Sequence, residues 1–135
     1  MAVLAGAVLM GFVPTTDPDA SRTFYRDVLG LALLDDGPFG MAFAAPAGSV
    51  LRVQVVAALT PQPFTVAGWL VPDVRQAIAE LAPRGVTFAR FDGVPQDDAG
   101  VWTAPDGTGV AWFHDPAGNL LSLTQTPTSS PVVRA

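Results

Sequence analysis

One short motif occurs twice in this chain, and the repeat constrains the fold more than any other feature. Residues 46–53 read PAGSVLRV and residues 116–123 read PAGNLLSL. Each copy is a Pro-Ala-Gly turn that leads into an apolar strand with one polar residue at the same place, Arg52 or Ser122. A repeated unit predicts a pseudo-symmetric fold of two similar halves around a shared cavity.

The first half begins with an apolar run, for which we predict a strand over Ala7–Val13 that is buried on both faces. A helix follows, with Asp17 as its N-cap and Gly30 at its end. Two strands, Phe39–Ala44 and Val50–Val56, complete this part of the prediction.

The second half repeats this order. Its first strand is predicted at Phe64–Val71, and a helix capped by Asp73 follows and ends near Gly85. The remaining strand candidates are Val86–Phe91, Val101–Thr103, Val110–Phe113 and Leu120–Thr124.

Two strands are located after the first helix and four candidates after the second, and we interpret each half as strand, helix and three strands, which predicts an α+β fold of two tandem βαβββ modules. The expected modules are residues 1–60 and 61–126, joined near Thr60–Pro63, and residues 127–135 are an expected loose tail. One such module leaves an apolar sheet face uncovered, so we expect two modules to pair.

Composition narrows the possible partners. Charged residues make up 14% of the 135-residue chain, against about 25% in an average soluble protein, which favours extra burial in a homodimer. The net charge is −5, lysine is absent and the arginines are scattered, so the sequence argues against nucleic acid and anionic membranes as partners. The apolar N-terminal run lacks preceding basic residues, and we expect a cytoplasmic location.

Two signatures carry a resemblance to a known family. Residues 21–31 read SRTFYRDVLGL and residues 113–121 read FHDPAGNLL. Together with the repeat they resemble the vicinal oxygen chelate superfamily, which includes glyoxalase I, bleomycin-resistance proteins and extradiol dioxygenases. The resemblance spans roughly Ala5 to Gln125. It implies a cupped, mostly antiparallel sheet of two βαβββ modules, with helices on its outer face and a ligand in the cup.

The resemblance also implies where a metal would bind. The family uses four inward-facing side chains, usually His, Glu or Gln, from the first and last strands of each module. The matching positions here are Met10, Arg52, Val66 and Ser122, which are not a competent set for a divalent metal. The chain has one histidine and one glutamate in total, so we expect no metal and no cofactor.

Strand alternation selects the polar candidates for ligand binding. Arg52 and Gln54 are predicted on one face of their strand, where the guanidinium could bind a carboxylate, phosphate or enolate. The alternatives for Arg52 are an ion pair with an aspartate, such as one from the 92–98 loop, or an edge position in which the side chain reaches solvent. Ser122 and Thr124 share a face at the symmetric place, either as ligand donors or as polar filler.

Apolar candidates complete the predicted site. Six large side chains could line a pocket or simply fill the core: Phe12, Phe39, Met41, Phe43, Trp102 and Trp112. Trp69 is expected to face the second helix. His114 stands beside Asp115 but has no neighbouring nucleophile, so no catalytic residue is assigned.

The leading interpretation is a metal-free small-molecule binding protein, similar to the drug-sequestering branch of the family, that takes an apolar or partly anionic ligand. One alternative is an enzyme of the family that uses an unusual metal site or an arginine-stabilised oxyanion. Another is an interaction module whose cup is filled by its own aromatic side chains.

Overall fold

The structure is a computed structural model that describes residues 3–127. The chain divides into two compact units, with the boundary between Pro61 and Gln62. Residues 128–135, which make up all but the first residue of the predicted tail, lie outside the described residues. None of the described helices is long and apolar enough to cross a lipid bilayer.

The described part of the first unit contains four strands, one α-helix that a π-helical turn extends over Phe24–Val28, and a short 3₁₀ helix at Pro46–Gly48. The elements are β1 (Met10–Thr15), α1 (Pro18–Thr23), β2 (Leu33–Gly37), β3 (Gly40–Ala44) and β4 (Val50–Val55). The strand order in the sheet is β1-β4-β3-β2, with β1 parallel to β4 and the other pairs antiparallel. The edge strands are therefore β1 and β2.

The helix of the first unit begins and ends where the sequence predicts. The Asp17 carboxylate accepts a hydrogen bond from the Ala20 amide at 3.1 Å, which confirms the predicted N-cap. The later part of the helix widens into the π-helical turn, where the Leu29 amide donates to the Phe24 carbonyl at 2.9 Å. Gly30 follows with a φ of 77°, as expected of a residue that ends a helix.

The prediction that the first strand is buried on both faces was wrong. The strand runs from Met10 to Thr15, and Ala7–Leu9 lie before it as exposed chain. Val13 and Thr15 are buried, whereas Met10 and Phe12 are exposed. The physical reason is that helical cover lies on one side of this sheet, so apolar residues of the other parity remain at the surface.

The second unit repeats the topology of the first. Its elements are β5 (Thr65–Leu70), α2 (Val74–Leu81), β6 (Trp102–Thr103), β7 (Gly109–His114) and β8 (Leu120–Gln125). The strand order is β5-β8-β7-β6, with β5 parallel to β8. Two four-stranded mixed sheets with few helices make the fold α+β, as predicted from the sequence.

The second helix is held at its start by two side chains. Asp73 caps it as predicted and accepts from the Gln76 amide at 3.0 Å. The side-chain oxygen of Gln125, on β8, accepts from the Val74 amide at 2.9 Å. Val74 and Ile78 are buried, so the helix is fixed both by polar contacts at its N-terminus and by an apolar stripe.

The predicted strand at Val86–Phe91 is also wrong, because this segment makes only a single bridge, between Phe88 and Phe113. The chain from residue 86 to residue 101 is instead a long loop. The side chain of Gln96 supplies hydrogen bonds that a strand would have taken from a neighbour: it accepts from Phe91 and donates to Ala89 and Gly100. Side-chain bonds of this kind replace a ladder partner.

Candidate functional site

Strand alternation gives each sheet a face that packs on its helix and an opposite face, which we call the open face. In the first unit the helix face carries the buried side chains Val13, Met41, Phe43, Leu51 and Val53. In the second unit it carries Ala111, Phe113, Leu121 and Leu123. Trp69 is paired with Leu123 and so belongs to the helix face, as expected.

Four side chains form one row across the open face of the first unit. The pairing register places Phe12 beside Arg52, Arg52 beside Ala42, and Ala42 beside Asp35. Gln54 lies two residues further along the strand of Arg52, on the same face, and is exposed. Arg52 and Gln54 therefore share a face, and Phe12 is their apolar neighbour.

The charge environment of Arg52 agrees with the predicted alternative of an ion pair with an aspartate, although the partner is not in the loop given as an example. Its Nη1 lies 3.9 Å from Oδ2 of Asp35, so its ionic partner comes from β2 and not from the 92–98 loop. The side chain of Arg52 is 26% exposed and that of Asp35 is 71% exposed. This distance is too long for a hydrogen bond, so the pair is a loose charge contact.

Three of the predicted apolar residues of the first unit do not join Arg52. Met41 and Phe43 belong to the helix face, where both are fully buried and where Phe43 packs against Tyr25 with ring centroids 5.7 Å apart. A ligand on the open face cannot reach them. Phe39 lies in the turn between β2 and β3, and it is 76% exposed.

The open face of the second unit is aromatic. Trp112 is paired with Ser122 and Trp102 with Val110, and the two indole rings are 6.4 Å apart. Both line a cavity of about 300 Å³ whose other wall is the loop segment 93–95. This volume is at the lower end of the range for small-molecule pockets.

The loop that forms one wall of this cavity is fixed by Gln96 and by its neighbour Asp97. Asp97 accepts hydrogen bonds from the Val101 and Ala99 amides, each at 3.0 Å, and from Arg75. These bonds, the one from Val101 above all, hold the pKa of Asp97 below its usual range. Sequence reasoning assigned this loop-fixing role to neither residue, since one amide and one aspartate in a Gly- and Pro-containing loop carry no distinctive signal for it.

The polar candidates of the second unit are less accessible than predicted. Ser122 is 8% exposed. Its neighbour across β5 is Gly68, and a Cβ added there would collide with the Ser122 hydroxyl. Thr124 is half-buried on the same face. A ligand in the cavity therefore contacts tryptophan before it contacts either hydroxyl.

The residues at the family's metal positions do not fit a metal. Met10 and Arg52 on the first sheet, and Val66 and Ser122 on the second, offer one thioether and one hydroxyl as possible donors. Across residues 3–127 no three His, Cys, Asp or Glu side chains come together. His114 is exposed at the end of β7, and its side chain makes no hydrogen bond within that range.

A family model establishes the superfamily to which the chain belongs. The model of the Glyoxalase/Bleomycin resistance protein/Dioxygenase superfamily matches residues 7–123, and the chain belongs to this superfamily. No curated protein matches the chain.

Solved structures show the same fold at low sequence identity. A superfamily member from Sphaerobacter thermophilus DSM 20745 is 22% identical, with a TM-score of 0.71 and coverage of 90% of this chain and 98% of that one. TnmS3, an antibiotic binding protein from Streptomyces sp. CB03234, is 24% identical, with a TM-score of 0.67 and coverage of 90% and 97%. Lactoylglutathione lyase from Agrobacterium tumefaciens is 17% identical, with a TM-score of 0.68 and coverage of 89% and 93%.

Proposed function

We propose that this protein is a metal-free small-molecule binding protein that sequesters an apolar or partly anionic ligand, of the kind found among antibiotics and metabolites. The observation that carries the proposal is the cavity of about 300 Å³ between Trp102, Trp112 and the loop segment 93–95. Two indole rings on one wall offer a large, rigid contact area to a planar or apolar molecule at a low entropic cost.

The surroundings of the cavity support capture over catalysis. Its lining residues are Gly93, Val94, Pro95 and the two tryptophans, which contain no general acid, base or nucleophile. Phe91 packs edge-on against Trp112 with ring centroids 5.4 Å apart, which fixes the orientation of the indole. A preorganised apolar wall favours non-covalent binding because little side-chain freedom is lost when the ligand enters.

The alternative is an enzyme of the superfamily, and the antibiotic-binding and lyase structures of this fold make both functions reasonable to test. A metal-dependent enzyme would need ligands other than those at the four family positions. Metal analysis of the purified protein distinguishes the two hypotheses, since one tightly held divalent ion per chain would support the enzyme.

The decisive binding experiment is a tryptophan-fluorescence titration with a panel of planar aromatic antibiotics. We expect quenching by at least one compound, and about tenfold weaker binding for Trp112→Ala and Trp102→Ala. Trp69→Phe is the matched control, because Trp69 lies on the helix face and should leave the affinity unchanged. Absence of any response would favour an interaction module without a ligand.

We also propose that the protein is a homodimer. Large apolar side chains remain exposed in the N-terminal segment, at Val3, Leu4, Val8 and Leu9. Such a patch on a chain with few charges favours association. Sedimentation velocity at micromolar concentration tests this directly, and a monomer at all concentrations would contradict it.

A further inference from the structure

Arg52 is bonded differently from four other arginines of the described chain. Arg22, Arg26 and Arg75 each donate hydrogen bonds to a carboxylate, and Arg90 donates to the Asp98 carbonyl at 2.7 Å. The guanidinium of Arg52 donates no hydrogen bond to any residue between 3 and 127. Its side chain is nevertheless three-quarters covered, with 26% exposed. A guanidinium in this state has its full set of donors available for an anion.

The neighbours of Arg52 determine which anion would fit. Phe12 is adjacent on β1 and is 54% exposed, so a hydrocarbon surface borders the guanidinium. Ala42 is adjacent on the other side and is too small to shield the charge. A ligand with a carboxylate for Arg52 and an apolar body for Phe12 would satisfy both neighbours.

Asp35 already interacts electrostatically with the guanidinium of Arg52. The register places it one strand beyond Ala42, and its carboxylate reaches to 3.9 Å from Nη1 without a hydrogen bond. Because Asp35 is 71% exposed, it can move into water when a better-placed carboxylate arrives. Its charge still disfavours every anion that approaches the same guanidinium.

We propose that the open face of the first unit is a binding site for an apolar carboxylate, in which Arg52 binds the anion and Asp35 acts as an internal competitor that sets the affinity. The residues of this site belong to the first unit, whereas the tryptophans that line the cavity belong to the second. Contact with Phe12 favours acids that have a hydrocarbon part, and the charge of Asp35 weakens every anion, so small anions that interact through charge alone bind too weakly to be retained.

Titration of the ¹⁵N-labelled protein with benzoate tests the site, with the amide resonances of residues 40–44 and 50–55 as the local readout. Asp35→Asn should bind benzoate about fivefold more tightly, the effect expected for removal of a nearby like charge in a solvated setting. Arg52→Gln should bind at least tenfold more weakly. In the double variant the Asp35 substitution should not change benzoate affinity, because the guanidinium that binds the carboxylate is absent.

Matched controls separate the local effect from net charge. Asp98→Asn removes the same charge in the second unit and should change benzoate affinity less than twofold. Benzyl alcohol, which lacks the anion, should bind the wild type and Asp35→Asn equally. Equal gains from Asp35→Asn and Asp98→Asn, or unchanged benzoate binding by a folded Arg52→Gln or Arg52→Lys variant, would overturn the proposal. Tryptophan fluorescence reports on the cavity of the second unit, so the proposal for one site can be contradicted while the proposal for the other holds.

Discussion

The two units have the same topology, yet corresponding rows of their open faces differ. In the first unit the row contains Phe12, Arg52, Ala42 and Asp35. The corresponding row in the second unit contains Gly68, Ser122 and Trp112. Where the first sheet has Ala42 beside Arg52, the second therefore has Trp112 beside Ser122. The first row suits an anion, and the second suits an apolar ring.

The connection after the helix explains much of this difference. In the first unit a short connection leads directly into β2, which places Asp35 at the end of the row. In the second unit a loop over residues 86–101 replaces it, and β6 is only 2 residues long. The loop supplies the wall opposite the tryptophans, so the cavity arises where the repeat is broken.

The largest effect is expected at the repeated turn, where Asp115 is buried and its counterpart is Ala45. Asp115 accepts from the Ala117 and Asn119 amides and from the Asn119 side chain, at 2.8–3.0 Å. Asp115→Ala leaves these donors without their acceptor and should lower the free energy of unfolding by about 2–4 kcal/mol. Urea denaturation measures this.

The control for Asp115 is in the first unit. Ser49 donates from its hydroxyl to the Pro46 carbonyl at 2.8 Å in an exposed turn. Ser49→Ala should cost only about 0.5 kcal/mol, since water can replace this bond. Equal losses for the two variants would show that the turns are held in the same way, contrary to the comparison.

Much of the fold was predictable because local signals determine it. Asp17 and Asp73 cap helices, and the apolar alternation of residues 50–55 and 120–125 fixes which side chains face the helix. The strand β2 was not among the predicted ones, since its Asp35-Asp36-Gly37 sequence has low strand propensity. It forms because the hairpin turn brings it back against β3, and this long-range pairing has no local signal.

The second prediction concerns the loop of the second unit. Gln96→Ala removes three hydrogen bonds of 2.8–2.9 Å in a partly buried setting. We expect a loss of about 1–2 kcal/mol in stability and weaker binding of any ligand held by the tryptophans, because the wall at residues 93–95 loosens. Gln76→Ala is the control, since Gln76 bonds Glu80 on an exposed helix surface and should cost about 0.5 kcal/mol or less. A ligand affinity unaffected by Gln96→Ala would separate the loop from the site.

The third prediction is a pH dependence confined to the second unit. Hydrogen bonds to Asp97 lower its pKa, so its carboxylate stabilises the loop above the unfolded-state pKa of about 4 and this stabilisation is lost as the pH falls through the folded-state value. The contribution should be under about 1 kcal/mol, because the side chain is 40% exposed. Tryptophan fluorescence of the native state should change as the pH falls below about 4.

Asp97→Asn retains an acceptor for the Val101 and Ala99 amides but cannot titrate, so its fluorescence should be flat in this range. Asp27 also has a lowered pKa, through its hydrogen bond from Arg26, but that pair lies on the first unit and supports no loop. Asp27→Asn should therefore keep the wild-type fluorescence profile. If Asp27→Asn abolished the fluorescence change and Asp97→Asn did not, the transition would belong to the first unit, contrary to this prediction.

The candidate site was less predictable than the fold. Strand alternation correctly predicted that Arg52 and Gln54 share one face of the sheet. It did not predict that Met41 and Phe43 lie on the opposite, helix-packed face, because aromatic and apolar residues are common on both faces of such a sheet. The partner of Arg52 was also out of reach, because Asp35 is 17 residues away and lies beside it only through the β2–β3 pairing. Contacts that depend on sheet register require the structure.

The smallest effect tests the Pro-Ala-Gly repeat itself. Ala47 has a φ of 60°, whereas Ala117 at the same place of the second copy is not among the positive-φ residues. Left-handed backbone costs an alanine about 1–2 kcal/mol, and glycine loses about 0.4–1 kcal/mol through unfolded-state entropy. Ala47→Gly should therefore stabilise the protein by about 0.5 kcal/mol, and Ala117→Gly should destabilise it by a similar amount. Opposite signs in parallel thermal melts are the expected result, and equal signs would mean that the two turns share one backbone conformation.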